Sequence, residues 1–151
     1  MKKPACYALL LLTFFTVTGF SQNSNTPKPK QFNNFPAVID CSQAVLSSIF
    51  NASPGQNINL SFSDNFLFSG SVTSNLVKYS NLQTAVVKST TLNNTIFSVS
   101  KIINKDKSVS YQGRIINKNY FDGFELKKNT AGNYQLIKIE KENVIQVCSQ
   151  L

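Results

Sequence analysis

The sequence predicts an α+β fold of mainly antiparallel β: one N-terminal helix packed on a curved meander of eight or nine strands, open or barrel-like. Three observations carry this. After Asn57, apolar and polar residues alternate with a period of two in short runs. Polar, Asn-rich turns separate those runs and leave no room for crossover helices, so each strand pairs with the next. Before Asn57 stands a single segment with helical period. A length of 151 residues allows one domain, and 42% hydrophobic residues supply a packed core.

The chain opens with Lys2 and Lys3, an apolar run from Ala8 to Val17, and the small residues Gly19 and Ser21. The run is too short to span a bilayer, and the pattern predicts a cleaved secretory signal over residues 1–21. Cys6 precedes the apolar run, which is the wrong side for a lipidated cut site. Without Lys2 and Lys3 the 15 basic residues become 13 against 7 acidic ones, a charge of +6. The processed protein is expected to be periplasmic or secreted and to lack a membrane span. Residues 22–35 read as a flexible polar leader with Pro27 and Pro29 among lysines. The helix-plus-sheet domain is expected over residues 36–151.

Asp40 with Gln43 three residues on suggests a capping box, and Cys41, Val45 and Ile49 recur at helical spacing. This predicts a helix from Cys41 to Phe50, ended by Ser53, Pro54 and Gly55. Strand runs follow at Ile58–Phe62, Phe66–Val72, Val77–Tyr79, Ala85–Lys88, Phe97–Val99, Val109–Ile115, Phe124–Leu126, Tyr134–Ile139 and Val144–Val147. Gly70 and Gly113 sit inside strands, where glycine permits a bend or a close backbone approach. A hairpin turning near Asn117–Tyr120 places Arg114, the single arginine, opposite Glu125 as an exposed cross-strand ion pair. Cys41 and Cys148 are an even pair in an oxidising compartment, so a disulfide between the helix start and the last strand is expected.

The chain has no His. That removes Ser/His/Asp and Cys/His nucleophile systems and imidazole metal sites. The carboxylates Asp40, Asp64, Asp106, Asp122, Glu125, Glu140 and Glu142 read as a cap, turn residues and surface groups. No spacing forces two of them across a cleft. The turn at Asp106 lacks a calcium-loop pattern, and no phosphate-binding Gly loop or Gly-x-Ser-x-Gly elbow occurs. No catalytic residue, cofactor or metal is therefore assigned.

Lys101, Lys105, Lys107, Lys127 and Lys128 fall at one end of a meander and form a possible anion-binding rim. Phe62, Phe66, Phe68, Phe97 and Phe124 either fill the core of a chain without Trp or line an apolar cavity. The expected function is a small exported, non-catalytic binding or interaction protein. Its alternatives are a carrier of a small hydrophobic ligand and an inhibitor or partner of an exported enzyme. Candidate partners are an anionic glycan, an exported protein or a small apolar ligand. Nucleic acid is not among them, since export and the absence of a recognition motif both oppose it.

Overall fold

The computed structural model describes residues 28–140. The expected signal peptide, the first part of the leader, the strand expected at Val144–Val147 and Cys148 lie outside the described residues. Eight strands and one helix run in chain order as β1 (Val38–Cys41), α1 (Gln43–Ile49), β2 (Asn57–Ser63), β3 (Phe66–Tyr79), β4 (Leu82–Ser89), β5 (Thr95–Ile103), β6 (Val109–Asn117), β7 (Asp122–Lys128) and β8 (Tyr134–Glu140). One antiparallel sheet holds them in the order β1-β8-β7-β6-β5-β4-β3-β2. From β2 to β8 this is the expected meander. β1 then pairs with β8 and also approaches β2, so the sheet curls into a nearly closed barrel.

The alternation sorts side chains into an inner and an outer face. One register row crosses five strands as Val72, Val87, Phe97, Ile115 and Phe124, each buried. Gly70 and Gly113 both serve close approach. A Cβ at Gly70 would lie 2.6 Å from the Lys88 carbonyl oxygen, and one at Gly113 would lie 2.6 Å from that of Ser98. The two runs expected at Phe66–Val72 and Val77–Tyr79 are one 14-residue strand, β3, carried across register shifts at Val72/Ser74 and Val77/Tyr79. Such bulges let a long strand follow a strongly curved sheet.

The helix needs correction at its start. Residues Val38–Cys41 form β1, because alternating Ile39 and Cys41 bury against the core while Asp40 faces out to accept a hydrogen bond from Gln135 Nε2 at 2.8 Å. The cap is Ser42, whose hydroxyl accepts from the Val45 amide, and the helix ends at Ile49. Cys41 thus ends a strand and does not begin the helix. At seven residues the helix is too short to hold itself. Its C-terminal carbonyls are instead held from the sheet: Asn75 Nδ2 donates to the Phe50 and Ala52 oxygens at 3.1 and 2.8 Å. Gln83 Nε2 donates to Asn75 Oδ1 at 2.9 Å and locks that amide.

The leader also needs correction. Phe32 is wholly buried, packed edge-on against Phe124 with ring centroids 5.1 Å apart. The Gln31 and Phe32 amides donate to the two carboxylate oxygens of Asp122 at 2.6 and 2.8 Å. Asp122, read as a surface turn residue, is itself buried. Phe32, with Phe35 packed on Phe66 at 5.0 Å, docks the otherwise polar segment, and the buried Asp122 carboxylate accepts its backbone amides.

The antiparallel order gives the barrel two distinct ends. The upper end carries the turns at 80–81, 104–108 and 129–133, with the helix beside them, and the lower end carries the turns at 64–65, 90–94 and 118–121. Among the described residues no helix is long and apolar enough to cross a membrane.

Candidate binding cleft at the upper end

β6 and β7 share a ladder only from Gly113↔Leu126 to Ile116↔Gly123. Above Gly113 they part. The Tyr111 amide donates not to β7 but to the hydroxyl of Tyr134, one strand further on, at 3.1 Å. Tyr111 and Tyr134 meet edge to face at 5.5 Å, and Phe50 of the helix end packs on Tyr111 at 5.9 Å. The phenol therefore closes the floor of a gap that the backbone leaves open. Burial pushes the Tyr111 phenol above its ordinary pKa, so it stays neutral.

Above this floor lies a cleft of about 840 Å³ over β5, β6 and β7. Its walls include Ser98, Ser100, Gln112, Arg114, Glu125, Lys127 and Lys128. Arg114 stands opposite Glu125 in the ladder, as the sequence indicates, and its Nη2 lies 2.8 Å from Glu125 Oε1. Lys127 Nζ reaches Glu125 Oε2 at 2.8 Å. The hydrogen bonds from Lys127 and then Arg114 hold the Glu125 carboxyl below its usual pKa. Lys128 Nζ sits 5.8 Å from the centre of the Tyr134 ring, a cation over an aromatic face.

The family-model, curated-protein and solved-structure comparisons return no match to this chain. The site therefore stands on its own geometry.

The five rim lysines all fall at the upper end. Lys127 and Lys128 line the cleft, Lys105 and Lys107 project from the neighbouring turn, and Lys101 lies on β5 beside a separate small depression. Asp106, in that turn, is held below its ordinary pKa chiefly by Ser108 hydrogen bonds, with Lys128 adding a smaller attraction. The turn and the end of β7 are thus electrostatic neighbours. Phe62, Phe66, Phe68, Phe97 and Phe124 are buried and touch ring to ring, for example Phe62 on Phe97 at 5.7 Å and Phe66 on Phe124 at 5.4 Å. They line neither the cleft nor the depression.

Tyr111, Tyr134, Gln112, Ser98, Ser100 and Ser110 are cleft residues that the sequence does not single out. Ser98, Ser100 and Gln112 carry a signal, the polar phase of their strands. The tyrosines carry none, because their role depends on where one ladder stops. Among the described residues no three His, Cys, Asp or Glu side chains group as metal ligands. Cys41 is buried, and burial pushes its thiol up to about 12. It forms no disulfide among the described residues.

Proposed function

We propose that this is a small exported, non-catalytic binding protein whose ligand is anionic and sits in the cleft over β5, β6 and β7. The observation that carries the reading is the parting of β6 and β7 above Gly113, which opens about 840 Å³ beside Arg114, Lys127 and Lys128. That volume suits a small ligand or a few sugar units. Serine hydroxyls and the Gln112 amide add hydrogen-bonding partners above a floor closed by the nearly buried Tyr111 and Tyr134. An acidic glycan matches this set: its carboxylate or sulfate competes with Glu125 for Arg114 and Lys127, and its hydroxyls meet the serines.

Calorimetric titration with a sulfated and a uronic oligosaccharide, at two salt concentrations, tests the reading. Binding that weakens with salt and is lost on Lys127→Glu with Lys128→Glu is the expected result. Binding that ignores both reversals, or turnover that a single Ser or carboxylate substitution abolishes, overturns it. We also propose the Cys41–Cys148 disulfide that export favours. Alkylation in denaturant is expected to label neither cysteine until reductant is added.

A further inference from the structure

The β3–β4 hairpin runs past β2 on one side and is flanked by β5 on the other. β2 accompanies β3 only up to Ser71 in their shared ladder, yet β3 runs on to Tyr79. On this overhang Leu76, Val77 and Tyr79 are 51%, 71% and 69% exposed, and Ile103 at the end of β5 is 40% exposed. The Ile103 amide donates to the Asn81 carbonyl at 2.9 Å, so the two tips are tied together. Consecutive strand residues point to opposite faces, so Leu76 and Val77 make the hairpin apolar on both sides. The depression beside it, lined by Val77, Tyr79, Leu82, Lys101 and Ile103, holds about 80 Å³, far below the size of a ligand pocket.

A flat protein partner would cover one side of this hairpin and leave the other wet. A lipid interface covers both. The charges agree: exposed Lys78, Lys105 and Lys107, with Lys101, flank the apolar tip, and Asp106 is the acidic residue in these turns. An apolar prong with Tyr at its tip and lysines behind it is the pattern that seats in an interface beneath anionic headgroups. We infer that the β3–β4 overhang is a docking prong for an anionic lipid surface, inserted through Leu76, Val77 and Tyr79 and held by the surrounding lysines. This does not rest on the cleft or its ligand.

Flotation with vesicles of phosphatidylcholine alone, or with about one third phosphatidylglycerol, tests it on the protein as recovered from expressing cells. The comparison is between the unaltered protein and the Val77→Asp, Tyr79→Asp double variant. Both carry the same N-terminus, so their difference reads the hairpin alone. Both positions are exposed, and matching circular dichroism and urea midpoints show that the variant is folded. The expected result is binding to the anionic vesicles only, at least about tenfold weaker in the variant and several-fold weaker in Lys105→Glu, Lys107→Glu. No binding of the unaltered protein, equal binding to both vesicle types, or equal binding of the double variant overturns the proposal. So does a dimer that the double variant splits without any lipid binding, which would make a second copy the occupant.

Discussion

The two ends of the barrel are built on opposite principles. At the lower end buried polar groups are matched partner to partner. Asp122 accepts from two backbone amides, and Asn117 Nδ2 donates to the Asn93 carbonyl at 2.7 Å. The Ser89 hydroxyl accepts from the Leu92 amide at 2.9 Å, and Phe32 seals the apolar interior above. At the upper end the ladder between β6 and β7 stops early, lysines crowd the turns, and apolar side chains of β3 stand in water. A satisfied polar network contributes stability and offers nothing to a ligand. Exposed apolar side chains, an excess of lysines and an open cleft contribute little stability and leave surface accessible. The lower end holds the fold together, and the proposed binding surfaces lie at the upper end.

Substitutions sharpen or break this contrast. The largest effect is expected from Phe32→Ala, which empties a fully buried ring site and costs about 3–5 kcal/mol in urea unfolding. A loss below about 1 kcal/mol would show that the segment at 28–35 does not seal the lower end. Asp122→Ala strands the Gln31 and Phe32 amides and is expected to cost about 2–3 kcal/mol, with Asp122→Asn intermediate because one acceptor remains. If both variants match the unaltered protein, water satisfies those amides and the clamp is not structural.

Asn75→Ala releases carbonyls at the end of the helix and is expected to cost about 1–2 kcal/mol. Hydrogen exchange is expected to rise in the helix and not at the lower end. The effect of Glu125 is smaller and depends on pH. Its folded pKa is depressed below the ordinary 4.5 by Lys127 and Arg114. Its stabilisation is therefore present above that value and is lost as pH falls through the lower folded value. Glu125→Gln is expected to cost less than about 1 kcal/mol at neutral pH and to flatten the acid limb of the stability curve. The smallest effect belongs to Lys105→Glu with Lys107→Glu, within about 0.5 kcal/mol in unfolding, since both residues are exposed. A large loss there would mean that the lysine-rich end is structural after all.

Much of this architecture is legible locally. The alternation of Phe97 and Val99 with Ser98, and of Tyr111 and Ile115 with Gln112 and Arg114, fixes which face each strand buries. Hairpin connection then fixes that Arg114 meets Glu125 and that the rim lysines share an end. The structure departs from local expectation where a local signal has a non-local competitor. Asp40 and Gln43 resemble a capping box, but pairing with β8 draws Asp40 and Cys41 into a strand and leaves the cap to Ser42. The residues around Phe32 are polar, but a buried carboxylate 90 residues away fixes their backbone.

The cleft shows the same division. Its lysines and its arginine are visible in the chain as charge on strand ends. The opening itself is not, because it exists where the β6–β7 ladder stops and Tyr134 substitutes a phenol for a backbone acceptor. By itself the sequence determined the antiparallel meander, the face of each strand and the end where positive charge collects, since periodicity and turn chemistry act between near neighbours in the chain. Only the tertiary structure decided the closure of β1 on β8, the docking of Phe32, the cleft above Gly113 and the overhang of β3, because each depends on which distant backbone groups find partners.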